Sequence, residues 1–428
     1  MDTTTTPTER QLVTVRIPAG WTLAGLIAGL TTGLLLARSN ALESVLAVSA
    51  PVGALWLRAL QVTIVPLVAG LLVVGIAQMA RAASAGAAAR RMLLWVAGVL
   101  VFSGTSSAIV TPLLLEFFPP PSAAAGVLST GTEAQSVPGL AAFIESLIAP
   151  NIVAAAAETA MLPLTLFFAA FAVAVASLPE SQRDVLLGFF RALANAMLLI
   201  IGWVLWAAPV GVFALALGVG AASGGAAFAT LGHYILVVVA AGTVIFVAGY
   251  LMAWLAGGIG PVRFAKALLP AQTVALSTQS SLASLPAMLD SANRLGLCER
   301  SAEFVLPLAV AIFRASSPAA NMAVAIYVAH LAGVTLTPLS LAAGVAVAFI
   351  IAIGSVSLPG TISFVISVGP IALAMGVPIE PLALLVAVEM MPDLMRTVGN
   401  VTMDVALATA VDRHAEDDGK EIEGRAQP

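Results

Sequence analysis

Glu389-Met-Met-Pro-Asp393-Leu-Met-Arg396-Thr397-Val-Gly-Asn400-Val-Thr-Met-Asp404 is a polar run set in almost wholly apolar sequence. Asp393, Arg396, Thr397, Asn400 and Asp404 stand at offsets of 0, 3, 4, 7 and 11. At about 3.6 residues per turn these offsets share one face of a helix. The resulting ribbon is roughly 16 Å long at about 1.5 Å per residue. Lipid cannot solvate such a face, so in a membrane it must meet protein, ligand or water. Each ionisable group at membrane depth costs on the order of 2.5–3.5 kcal/mol on insertion scales. Three on one face point to function; the structural alternative is glue between helices, with Asp393 and Arg396 paired and Asn400 bridging.

The rest of the chain supports a membrane setting. Of 428 residues, 60% are hydrophobic and 9% charged, and the mean hydropathy is +1.04. A soluble domain carries about 25% charged residues. The net charge of −4 says little, since only its distribution matters in a membrane. A single cysteine, Cys298, excludes an intrachain disulfide. Residues 1–16 read as a cytoplasmic N-terminal tail without the charged-then-apolar order of a signal peptide. Residues 412–428 are acidic and polar and read as a disordered cytoplasmic tail.

Spanning a ~30 Å apolar core takes about 20 residues. Candidate spans are 21–37, 45–79, 92–115, a broken 147–178, 185–217 and 228–256. Arginine and lysine cluster before the first and after the second, fourth and sixth of these, and again at the C-terminus. The alternate loops hold only Arg38. Both termini are therefore expected in the cytoplasm, which requires an even number of spans. Two more, 304–333 and 381–410, complete eight. Segments 267–289 and 339–376 are left over and must enter and leave on one side. Each carries hairpin chemistry: Ser277-Thr-Gln-Ser280-Ser281-Leu-Ala-Ser-Leu-Pro286 in the first, Gly354-Ser-Val-Ser-Leu358-Pro359-Gly360-Thr361 in the second. Hydroxyl, glycine and proline clusters break helices and free backbone amides. Two broken hairpins in corresponding places mark an inverted-repeat secondary transporter. The expected fold is thus an all-α polytopic membrane protein of eight transmembrane helices plus two re-entrant helical hairpins.

With these motifs the chain resembles the dicarboxylate/amino acid:cation symporter family, which includes glutamate and aspartate transporters. Arg58-Ala-Leu-Gln-Val-Thr-Ile-Val-Pro-Leu67 is similar to its second span and Ala208-Pro-Val-Gly-Val-Phe213 to the end of its fifth. Ser280–Pro286 and Leu358-Pro359-Gly360 are similar to its two hairpin tips, and Asp393 to Asp404 match its eighth span position for position. The resemblance implies a homotrimer, with residues 17–256 mainly scaffold and trimerisation surface and 257–411 the transport core. It also implies roles: Arg396 for a substrate carboxylate, Asp393 for an ammonium, Thr397 and Asn400 for neutral hydrogen bonds. Ser280, Ser281 and the tip amides at Leu358, Pro359 and Gly360 would hold a second carboxylate, with Ser317 in reach. Asn400 and Asp404 would form a cation site for Na+ or H+. The expected partners are a small acidic substrate and membrane lipid, with no nucleic acid.

One motif departs. Phe304-Val-Leu-Pro-Leu308 is similar to the opening of the family's seventh span, but where the family continues Asn-Met-Asp-Gly-Thr this chain has Phe313-Arg314-Ala315-Ser316-Ser317. Asn321-Met322 would restore register only with an eight-residue insertion. Arg314 is thus an added intramembrane cation, expected to neutralise Asp404 and Glu389. An enzyme is not expected, and the alternative to a transporter is a non-transporting relative. A serine hydrolase would need a base beside Ser280 or Ser281, and the chain's histidines are His233, His330 and His414. A degenerate relative acting as receptor or channel would keep the fold without transport.

Overall fold

The computed structural model describes residues 19–83, 87–121, 145, 147–223, 226–354 and 360–425. Among them every regular element is a helix, as backbone in lipid requires. In chain order these are α1 (Ala19–Leu36), α2 (Leu42–Gln61), α3 (Ile64–Ala83), α4 (Ala87–Phe117), α5 (Ile152–Ala157), α6 (Met161–Ala176), α7 (Glu180–Trp206), α8 (Ala208–Ser223) and α9 (Ala226–Leu255). They are followed by α10 (Pro261–Thr278), α11 (Ser281–Leu295), α12 (Glu299–Ile312), α13 (Ser317–Leu331), α14 (Pro338–Gly354), α15 (Gly360–Ala374), α16 (Leu382–Leu385) and α17 (Met390–Arg425). Five stretches are long and apolar enough to cross a membrane: Leu42–Ala80, Ala89–Phe117, Glu180–Trp206, Ala226–Leu255 and Glu299–Leu331. Large apolar side chains such as Trp21, Leu35, Leu94, Trp206 and Leu236 point outward. The protein is a multi-pass membrane protein.

The long apolar runs divide where the backbone chemistry demands it. Run 45–79 breaks after Gln61, where the Thr63 hydroxyl turns back to donate to the Leu60 carbonyl at 2.8 Å. Run 185–217 breaks at Ala207, ahead of Pro209, whose ring nitrogen has no proton to continue a helix. The 147–178 run is two helices: the Asn151 side chain caps α5 by accepting from Val153 and Ala154, and α6 follows. Residues 412–425, expected as a disordered tail, continue α17 as helix. An existing helix propagates at little cost once nucleated, and Ala, Glu and Lys favour it.

Two helix pairs occupy the segments read as hairpins. α10 and α11 pack on each other, and so do α14 and α15. Between α10 and α11 the chain reverses at Gln279, which sits in the left-handed region at φ 52°, and Ser280 then caps α11 by accepting from Ala283 N–H at 3.2 Å. The tip of the second pair, with Leu358 and Pro359, lies outside the described residues; α15 begins at Gly360.

α17 packs against α4, α9, α10, α11, α12, α13 and α15. It packs most extensively on α9, which approaches through Gly242 and Gly249, facing Met395 and Thr402, with Gly257 just past the end of α9 against Thr409. α1 and α8 pack by the same device: Gly25, Gly29 and Gly33 face the backbone of Pro209, Phe213 and Leu217. Small residues at such spacing let helix axes approach where lipid offers no hydrophobic drive. The apolar core has two main parts. One gathers α1, α2, α7 and α8 with α13 to α16; the other gathers α10, α11, α12 and α17 with parts of α4 and α9.

Candidate functional site

The five ribbon residues of α17 are all buried, as is Glu389 just before it. Arg396, only 1% exposed, lies between two carboxylates: its Nη2 is 2.5 Å from Glu389 Oε1 and its Nη1 donates to Asp393 Oδ1 at 3.3 Å. The Arg396–Glu389 contact is short but poorly aligned as a hydrogen bond, and Arg396 Nε has no partner. On its other oxygen Glu389 accepts from the Tyr234 hydroxyl of α9 at 3.5 Å. The Thr397 hydroxyl donates to the Asp393 carbonyl, one turn back, at 2.9 Å.

Facing the ribbon is the interruption between α12 and α13. Pro318 near the start of α13 ends helical continuity, and Phe313 is extended at φ −115°, ψ 100°. The amides this frees are taken up by specific side chains. Ser316 N–H donates to Asn400 Oδ1 at 2.8 Å, and Ala319 N–H donates to the Ser103 hydroxyl of α4 at 3.1 Å. Gly399 lies against Ser316, with no room for a Cβ. Arg314 is buried in the interruption, in electrostatic contact with Asp393, Asp404 and Arg396. Asp404 is fully buried and neither carboxylate oxygen accepts a hydrogen bond. The Ser316 and Ser317 hydroxyls and Asn321 Oδ1 are likewise buried without a partner. Buried polar groups are seldom left so, and this concentration at one helix break is what a polar ligand would satisfy.

Glu389, Asp393, Asp404, Arg314 and Arg396 together put three carboxylates against two guanidinium groups. With all five groups ionised, the cluster is one positive charge short of balance. A metal cation would need a cage of oxygen ligands with hard donors. The break holds Ser316 and, before it, Phe313, Arg314 and Ala315, two apolar and one cationic. Those three offer such an ion no side-chain oxygen.

The hairpin serines are placed differently. Ser280 Oγ is engaged in capping α11 and Ser281 is half-buried. Among the described residues no hydrogen bond joins either to the ribbon. A cleft of about 740 Å3 lies elsewhere, lined by Asn151, Glu158, Met161, Leu373 and Met375, and contains no ribbon residue. Two contributors escape sequence reading: Tyr234, in an apolar span, and Ser103, which opens the short run Ser103-Gly104-Thr105-Ser106-Ser107. Gln272 of α10 is a third; it donates to Thr402 Oγ1 at 2.9 Å and ties the first helix pair to α17.

These features define a class: a helical multi-pass membrane protein with a charged, desolvated site beside broken helices. The sequence matches the sodium:dicarboxylate symporter family over residues 19–414. It is 27% identical to the proton/sodium-glutamate symport protein of Bacillus subtilis (strain 168) over 395 residues, 90% of each chain. It is 27% identical to the proton/glutamate-aspartate symporter of Escherichia coli (strain K12) over 370 residues, 84% of each. The neutral amino acid transporter A of Homo sapiens is 28% identical over 267 residues, 59% of this chain and 48% of that one. The chain belongs to the sodium:dicarboxylate symporter family.

Proposed function

We propose that this protein is a secondary transporter of small acidic amino acids or dicarboxylates in the cytoplasmic membrane, with sodium-independent coupling. The observation that carries the reading is the buried Asp393–Arg396 pair on α17, facing an interrupted helix full of unsatisfied polar groups. Arg396 takes the substrate's side-chain carboxylate in its planar fork. Asp393 takes the ammonium, and Thr397, Asn400 and Ser317 add hydrogen bonds. The hairpin tips, with Ser280, Ser281, Leu358, Pro359 and Gly360, close over the second carboxylate. Eight spans and two re-entrant hairpins fit the helix order, with both termini cytoplasmic and three copies per assembly. Residues 257–411 form the moving core, and α4 and α9, which pack on α13 and α17, travel with it.

Arg314 is the reason for sodium independence. Its guanidinium, under the electrostatic influence of Asp393 and Asp404, serves as a tethered cation in place of a bound one. The test is counterflow in proteoliposomes with acidic amino acids and dicarboxylates, in sodium and then in potassium or choline. Uptake should persist without sodium. Strong dependence on a sodium gradient would sink the coupling assignment. No uptake of any substrate would favour a non-transporting receptor or channel.

A further inference from the structure

Glu389 and Asp393 stand against the two terminal nitrogens of Arg396, the edge that would grip a substrate carboxylate between both of them. We propose that Glu389 is an internal competitor for Arg396, and that an acidic substrate displaces it with uptake of one proton by the Glu389 carboxylate. The inference rests on Arg396 being the substrate's carboxylate partner, as proposed above. Asp393 is three residues from Arg396 on the same helix and serves the ammonium; Glu389 lies beyond the substrate-facing ribbon, so it is the acid that yields. Once the Arg396–Glu389 ion pair breaks and the Arg396–substrate pair forms, a Glu389 carboxylate left ionised and fully buried would have no cation. A proton from water on the open side neutralises it; release of substrate returns the proton and re-forms the ion pair.

The surroundings of Glu389 suit this exchange. Among the described residues, the charged and titratable groups acting on it are Arg396 and Asp393 of α17 and Tyr234 of α9. Tyr234 donates to Oε2 and can go on donating when Oε1 carries the proton. Tyr327 of α13 packs edge-on against Tyr234 at 5.4 Å between ring centroids, and His233 contacts the Tyr327 hydroxyl at 3.1 Å. No second cation in this group would compensate an ionised Glu389. The charge count agrees: the cluster lacks one positive charge, and an acidic amino acid, net negative, widens the deficit.

The test is titration calorimetry of the full-length protein in detergent with L-glutamate and L-aspartate, in buffers of different ionisation enthalpy. One proton should be taken up per substrate bound, and affinity should improve by about tenfold for each unit fall in pH while Glu389 is ionised in the free protein. Glu389→Gln should still bind, with no proton uptake and a flat pH profile. Should that variant not fold, Glu389→Asp draws the carboxylate back from Arg396 and should bind more tightly than wild type at alkaline pH. Binding by wild type without proton uptake overturns the proposal, as does uptake that survives in Glu389→Gln or an unaltered profile in Glu389→Asp. Preference for serine or alanine would mean that Arg396 stays paired, and also overturns it. If the wild type binds no amino acid at any pH, the transporter reading itself fails.

Discussion

At the scale of single residues, the site balances charges that have no water to fall back on. Arg396→Lys keeps a cation but loses the fork that spans Glu389 and Asp393. It should weaken binding of acidic substrates by about 2–5 kcal/mol while preserving fold, as measured by calorimetry and thermal unfolding. Asp393→Asn should weaken amino acids more than dicarboxylates that lack an amine; equal losses would remove Asp393 from the ammonium role. Arg314→Met leaves buried Asp404 without its neighbouring cation, at a cost on the order of 3–5 kcal/mol. Lower thermal stability, partly recovered by Arg314→Met combined with Asp404→Asn, is the expected result. The helical spacing of Asp393 to Asp404 made this face legible from sequence. Arg396's present partner was not, because Glu389 lies one turn outside the ribbon and reaches back across it. Tyr234 and Ser103 were illegible for another reason: a hydroxyl on an apolar helix looks the same whether it is idle or bonded to a group distant in sequence.

At the scale of helices, breaks and close approaches govern the architecture. Gly399 is the point where α17 meets the interruption between α12 and α13, so a methyl there must push on Ser316. Gly399→Ala should cost about 1–3 kcal/mol in thermal unfolding and reduce uptake; unchanged values would mean the interruption is free to shift. The first helix pair turns on a non-glycine residue held at positive φ, Gln279, a conformation surrounding structure must impose. Cysteines at Ser281 and Ser357, in a Cys298→Ser background, should be labelled by a polar thiol reagent from opposite sides of the membrane and protected by substrate. One-sided labelling indifferent to substrate would make these helix pairs ordinary packing elements. Hydropathy alone located the helix-rich runs, since lipid forces helix wherever apolar residues persist. It merged α2 with α3 and α7 with α8, because a break of one or two residues barely alters an average over twenty. The seventh apolar run, 304–333, was read as one span for the same reason: the four residues 313–316 barely alter its average, although Arg314, Ser316, Ser317 and Pro318 mark the break.

At the scale of the whole molecule, the guanidinium in that interruption has a consequence for energy supply. A sodium ion that crosses with substrate is left behind, and each elementary charge so moved is worth about 2.3 kcal/mol per 100 mV of membrane potential. Arg314 is bonded to the chain, so its charge returns with every cycle and contributes no current. If one proton accompanies one acidic amino acid, their charges cancel, and the complete cycle is electroneutral. Accumulation should then follow the pH gradient and ignore the voltage. Proteoliposomes clamped at zero or at a negative internal potential by potassium and valinomycin should reach the same substrate ratio; a ratio that rises with the imposed potential would require an additional mobile cation. A carrier wired in this way would keep working in a cell whose membrane is depolarised but whose exterior is acidic.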